Sequence, residues 1–157
     1  MMNTDTRGIP DRYGYAAIAH IMVDGADAAI SFYAEAFGAQ ELFRIARPDG
    51  SILHAEISIG GSVVMVGDAE GPFQSPARAH GTTVGLHVFV EDVDAFHARA
   101  LDAGAESLQA PADMFYGARQ AMIRDPFGHV WAFLTQQEDI PPKEIVRRGT
   151  ELLSPAG

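Results

Sequence analysis

His20-Ile-Met-Val-Asp-Gly-Ala-Asp-Ala28 recurs 67 residues later as His87-Val-Phe-Val-Glu-Asp-Val-Asp-Ala95. Two further segments recur in the same order. Phe37-Gly-Ala-Gln-Glu-Leu42 returns as Ala103-Gly-Ala-Glu-Ser-Leu108, and Gly61-Ser-Val-Val-Met-Val66 returns as Gly128-His-Val-Trp-Ala-Phe133. The offset slips by one residue around the glycine that follows each expected helix. Three ordered matches at nearly one spacing identify an internal duplication, so both halves, of roughly 55 residues each, are read as one supersecondary unit used twice.

Working outward from the repeat, residues 16–23 and 83–90 alternate with a period of two and are expected strands. Ala19, Ile21 and Val23 share one face; Val84, Leu86, Val88 and Val90 do the same in the second half. Each run ends at an acidic residue suited to starting a helix, Asp24 and Asp92. The helices that follow place Ile30, Tyr33, Ala34 and Phe37 on one stripe and Val93, Phe96, Ala100 and Leu101 on the other. Gly38 and Gly104 then supply left-handed termini. Turn signals (Pro48-Asp49-Gly50, Gly60-Gly61, Asp125-Pro126-Phe127-Gly128) separate the remaining strands. Along 53–59, Leu53, Ala55, Ile57 and Ile59 point to the helices, while His54, Glu56 and Ser58 point the other way.

The expected fold is therefore α+β: two tandem βαβββ repeats forming a curved mixed-sheet cup with helices on the convex face. The organisation is an N-terminal tail at 1–14, a domain at 15–137 and a helical tail at 138–157. Within the domain, repeat one spans 15–68, a linker 69–82 and repeat two 83–137. Pro141-Pro142 opens the tail helix, whose apolar side is Ile145, Val146, Leu152 and Leu153.

Composition narrows the function. The 157 residues carry 11 basic and 21 acidic side chains for a net charge of −10, which argues against nucleic acid or anionic membranes as partners. The chain has no cysteine, which removes disulfides, thiolate metal sites and a cysteine nucleophile together. Neither a signal-type apolar run in 1–14 nor an apolar stretch of membrane-spanning length is present, so the expected location is cytoplasmic. Gly60-Gly61 joins strands and lacks the Lys-Ser/Thr and helix of a phosphate loop. No Ser-His-acid elbow occurs.

Three segments carry a family likeness: Ser31-Phe-Tyr-Ala-Glu-Ala-Phe-Gly38, Asp49-Gly-Ser-Ile-Leu-His-Ala-Glu56 and Arg124-Asp-Pro-Phe-Gly-His-Val-Trp131. Set in two βαβββ halves, they resemble the vicinal oxygen chelate superfamily, and within it the PhnB-like branch of glyoxalase/bleomycin-resistance proteins, over residues 15–137. The resemblance implies a metal quartet in the metal-dependent members, at positions that fall here on Ile18, Met65, Gly85 and Ala132. None of these offers the imidazole or carboxylate that a divalent metal requires, so no cofactor is expected. The resemblance also implies a homodimer that binds a small molecule.

His20 and His87 are repeat equivalents, each two residues beyond a vacated ligand position and so on the same face. Three readings stay open for them: half-buried hydrogen-bonded histidines, contacts to a ligand, or a displaced divalent-metal site made with Glu56. His54 and Glu56 belong on the same face, where Glu56 either pairs with Arg44 or Arg119 or serves the site. Proton transfer by Glu56 or His87 is chemically open to both groups. Tyr116-Gly-Ala-Arg119 resembles a Tyr-Gly-Asp-Arg run of the branch with Ala118 in place of the acid, and with Phe89 and Phe115 it supplies aromatic and cationic contacts. Trp131 and Phe133 read as core, His129 and Arg124 as solvated turn residues, and His80 and His97 as surface. Two functions follow. The first is a binding protein for a small aromatic ligand, contacted by His20, His54, Glu56, His87, Phe89, Phe115, Tyr116 and Arg119. The second is an enzyme (lyase, isomerase or oxygenase-like) using Glu56 and the histidines, with or without a displaced metal.

Overall fold

The computed structural model describes residues 8–14 and 17–155. Half of the expected N-terminal tail, residues 1–7, and the last two residues of the C-terminal tail lie outside the described residues. The chain divides between Gly81 and Thr82 into two compact units. Each holds a four-stranded mixed sheet with a helix packed on one face, so the chain is α+β and built from the tandem repeat that the sequence announces.

In the first unit, β1 (His20–Val23), α1 (Ala26–Phe37), β2 (Gln40–Ala46), β3 (Ile52–Ile59) and β4 (Ser62–Asp68) follow in order. The sheet order is β1-β4-β3-β2, with β1 parallel to β4 and the other pairs antiparallel. A short helix, α2 (Pro76–Ala79), capped by Ser75, occupies the expected linker. The second unit repeats the plan with β5 (Gly85–Phe89), α3 (Val93–Asp102), β6 (Glu106–Asp113), β7 (Ala118–Arg124) and β8 (Val130–Gln136), in sheet order β5-β8-β7-β6. It ends on α4 (Pro142–Leu153).

The core of the first unit lies between α1 and one face of its sheet. Ile30, Tyr33 and Phe37 of α1 are buried against Val23, Ala55, Ile57 and Val66, all four without solvent contact. Ala34 is exposed, and the stripe runs instead through Ala29, Phe32 and Ala36. In the second unit Trp131 and Phe133 are fully buried, as their alternation implies, and the indole N–H donates to Asp125 at 2.9 Å.

Further expectations about individual side chains need correction, Leu101 among them: it is exposed, and His97 takes its place with Val93 and Ala100 on the buried side of α3. Leu53 does not join the core face: it is exposed, and Ile52 is buried in its place. A β-bulge causes this, since Ala46 pairs with Ile52 while Ile45 pairs with His54, leaving Leu53 as the extra residue that shifts the alternation. His97 is not a surface residue. It is buried on α3 with Nε2 2.9 Å from the Ser107 hydroxyl, and burial lowers its pKa.

Asp24 does not cap α1. Its carboxylate pairs with Arg78 at 2.8 Å and accepts from Ser75 at 3.0 Å. The cap comes from the far end of β4, where Asp68 accepts from the N–H groups of Gly25 (2.8 Å) and Ala26 (3.0 Å) and from Ile52 at the bulge (2.7 Å). Burial pushes the Asp68 carboxyl up, but these three hydrogen bonds outweigh it and hold the group below the usual range. In the second unit the repeat-equivalent Thr135 accepts from Val93 N–H at 2.9 Å, and Asp92 adds the expected side-chain cap on Ala95. The last strand of each repeat thus fixes where its helix starts.

The tail helix α4 leans on the loop before β7. Gly149 meets the Phe115 ring, and Arg148 reaches the Phe115 carbonyl at 3.4 Å and Glu138 at 3.2 Å. The rest of its apolar side, Val146, Leu152 and Leu153, faces solvent.

Candidate functional site

Strand register in the first unit lines up four side chains on the face away from α1. Phe43 of β2 pairs with Glu56 of β3, Glu56 with Met65 of β4, and Met65 with His20 of β1. Directly paired residues on neighbouring strands share a face, and His54, two residues before Glu56, joins them. The His20 and His54 rings meet edge to face with centroids 5.5 Å apart. Phe43 lies 5.8 Å from His54, and Phe73, from the segment after β4, lies 6.1 Å from His20. His20, His54 and Glu56 are therefore brought together as the alternation predicts. Gly67 of β4 lies beside this ring: a Cβ there would be in ordinary contact with His20 Nε2 at 3.6 Å and crowd the Leu53 carbonyl oxygen at 3.1 Å. Burial, and then the nearby His54, lower the His20 pKa and favour its neutral form.

Glu56 is the chemical centre of this face. It is 1% exposed and pairs with neither Arg44 nor Arg119. Arg44 is held by Glu41 at 2.6 Å and Asp27 at 2.5 Å, and Arg119 by Asp94 at 2.6 Å and Asp113 at 3.1 Å. Its partner is Arg12, from the segment assigned to the tail. The guanidinium donates from Nε to Oε2 at 2.7 Å and from Nη2 to Oε1 at 3.2 Å, a bidentate fork. The Tyr13 hydroxyl donates to Oε1 as well, and His54 Nε2 stands 3.6 Å away. The Arg12 hydrogen bonds, overcoming the opposing effect of burial and helped by Tyr13, hold the Glu56 carboxyl down to about 2. A carboxylate so held is a fixed negative charge, and a poor proton acceptor for as long as Arg12 stays.

No periodicity could have nominated Arg12 and Tyr13. The usable signal is indirect: a carboxylate on a strand interior needs a cation, and neither Arg44 nor Arg119 within the repeats supplies it.

The equivalent row in the second unit is Gln109, Met122, Ala132 and His87. Met122 stands where the first unit has Glu56, so this face carries no buried acid at that point. His87 and Phe89 are exposed on β5, and the His87 ring lies along Gly85. Tyr116 donates to Gln120 at 2.5 Å, and Gln120 to Gln109 at 3.4 Å, a neutral relay that sequence reading did not single out. Burial raises the Tyr116 pKa, keeping its hydroxyl protonated. Phe115 packs edge to face on Tyr116 at 5.1 Å and under α4, and Arg119 is committed to its two aspartates.

Among the described residues no three His, Asp or Glu side chains are grouped to hold a metal ion. Ile18, Met65, Gly85 and Ala132 supply no hard donor, so the residues present do not fit the metal quartet. Among the same residues no helix is long and apolar enough to cross a membrane.

Comparison with known proteins bears on this arrangement. A family model described as Glyoxalase/Bleomycin resistance protein/Dioxygenase superfamily matches residues 14–133, well over half of the chain. The chain belongs to this superfamily. An uncharacterized protein of Mycobacterium bovis is 40% identical over 131 residues, covering 80% of this chain and 86% of that one. Among solved structures, TioX from Micromonospora sp. ML1 matches with a TM-score of 0.62 at 30% identity, covering 81% of this chain and all of that one. An Arabidopsis thaliana gene product matches with a TM-score of 0.63 at 29% identity, covering 76% and 97%. A PhnB protein from Bacillus cereus, at 16% identity and a TM-score of 0.60, shares the superfamily fold.

Proposed function

We propose that the chain is a small-molecule binding protein whose ligand, a small and flat aromatic compound, lies on the face of the first sheet away from α1. The observation that carries this reading is the setting of Glu56, a buried, ionised carboxylate bracketed by Phe43, His54, His20 and Phe73. Flat rings at 5–6 Å spacing with one fixed charge make a recognition surface. Chemistry is less well served. A general base needs a pKa near the working pH, whereas Glu56 titrates near 2, and the superfamily's metal positions hold no metal donors. His87, Phe89 and Tyr116 on the second unit offer aromatic and imidazole contacts of the same kind.

The reading includes a cytoplasmic homodimer. Its support is the apolar surface left in water: Leu42, Phe43, Ile45 and Leu53 on the first unit, Val84 and Phe89 on the second.

Ligand-observed NMR with a library of small aromatic compounds tests the function on protein purified without added metal or chelator. Binders whose signals recover in Glu56→Gln support it. Stoichiometric zinc, iron or nickel, lost on replacing His20 and His87, contradicts it and favours the enzyme.

A further inference from the structure

Arg12 is an unusual counter-ion. Glu56 is 1% exposed and belongs to the interior of the sheet, whereas the Arg12 side chain is 46% exposed and comes from a segment outside both repeats. Among the described residues, the hydrogen bonds that tie residues 8–14 to the rest of the unit all end on Glu56. The one backbone hydrogen bond there, Tyr13 N–H to the Pro10 carbonyl, is internal to the segment. A carboxylate buried without a cation is strongly disfavoured, and among the described residues of the sheet His54, with Nε2 3.6 Å from Oε1, is the other group placed to pair with it. Arg44 is committed to Glu41 and Asp27, and Arg47 to Glu70. When residues 8–14 leave, both Glu56 oxygens lose the fork and are open to a competing cation.

The surroundings say which kind. The Arg12 guanidinium lies 4.4 Å from the Tyr13 ring centroid and 5.9 Å from that of Phe43, with the His54 ring next to Phe43 and His20 beyond it. One buried carboxylate presenting both oxygens to a planar fork, walled by ring faces, is the chemistry that recognises a planar organic cation.

We propose that this site takes an aromatic amidinium or guanidinium in place of Arg12, with residues 8–14 as a built-in competitor that covers the site when no ligand is present. The claim rests on the reading of this face as the ligand site and adds the charge and shape of the ligand. Two parallel N–H donors of the cation replace Arg12 Nε and Nη2 on Glu56, and its ring lies against Phe43 and His54. No covalent step is involved.

Benzamidine and its neutral isostere benzamide are the probes, titrated by calorimetry into wild type, Arg12→Gln and the Arg12→Gln/Glu56→Gln pair. The expected result is benzamidine binding at least tenfold tighter to Arg12→Gln than to wild type, lost in the double variant, with no binding of benzamide. Should Arg12→Gln fail to fold, Tyr13→Phe, which removes one tie and keeps the cation, is expected to tighten benzamidine about two- to threefold. Equal affinity in wild type and the loosened variants overturns the competitor. Benzamide binding as well as benzamidine overturns the cationic ligand while leaving a small-molecule site on this face. Failure of every aromatic compound, charged or neutral, removes both claims.

Discussion

Glu56 and Ile57 are neighbours on one strand with opposite duties. Both are buried, but Ile57 faces α1 and Glu56 faces the rings and Arg12. Ile57→Gln puts an unpartnered amide into the helix-facing core and is expected to cost about 2–4 kcal/mol in urea unfolding. Glu56→Gln keeps the volume and leaves Tyr13 an acceptor while giving up the charge on the bond to a half-exposed Arg12, so it should stay folded with a melting temperature several degrees below wild type at neutral pH. A stable Ile57→Gln beside an unfolded Glu56→Gln means that the two faces are exchanged.

The charge on Glu56 also predicts a pH signature. Its folded pKa, near 2, lies below the value of about 4.3 for an unfolded glutamate. The stabilisation is therefore fully present above about pH 4.5 and is lost as pH falls towards 2. Arg12, Tyr13, His54 and His20 face the group in wild type and in Glu56→Gln alike, so the difference between the two melting curves isolates it. That difference should shrink steadily between pH 4.5 and 2; a difference constant across the window contradicts the ion pair.

At the scale of elements, each repeat holds its helix by the end of its last strand. Asp68 gathers three backbone N–H groups and Thr135 one, so Asp68→Ala should cost more than Thr135→Ala, about 2–3 against about 1 kcal/mol by chemical denaturation. Equal costs contradict this division of labour. A second test lies in the loop under α4. Gly117 has φ +85°, and a Cβ there would sit 2.6 Å from the Glu138 carbonyl oxygen and 2.8 Å from Ile140. Gly117→Ala is therefore expected to lower the melting temperature by several degrees and to loosen α4, read as faster amide exchange in residues 142–153.

The repeat, the strand-helix order, the tail helix and the core side of β8 were legible because each writes a period into the sequence: 67, 3.6 or 2 residues. The bulge at Leu53 was not, because pairing with Ala46 decides it and nothing in residues 52–59 reveals that pairing. Asp68 as the cap of α1 was hidden for a similar reason. The expected cap was the acid next to the helix, while the cap used arrives from 42 or 43 residues away. His20, His54 and Glu56 were found by alternation. Arg12 and Tyr13 were missed because a segment without periodicity reads as a tail whatever it touches.

On the scale of the whole molecule, apolar side chains left in water on both units support the homodimer. Ile45 is 50% exposed and Phe89 63%, side chains of the kind the proposed interface would cover. The net charge of −10 is screened beyond about 10 Å at moderate salt and does not oppose a close apolar interface. Light scattering at micromolar concentration should give twice the chain mass; a monomer mass at that concentration contradicts it.

Ligand recognition, as proposed, is organised around Glu56 on the face of the first sheet away from α1. It is tested most directly by a crystal structure of the chain with the tightest aromatic binder from the NMR library. Ring density is expected against Phe43 and His54, with a polar atom within hydrogen-bonding distance of Glu56. A ligand lodged elsewhere, along α4 for example, with the Arg12–Glu56 pair undisturbed, would contradict it.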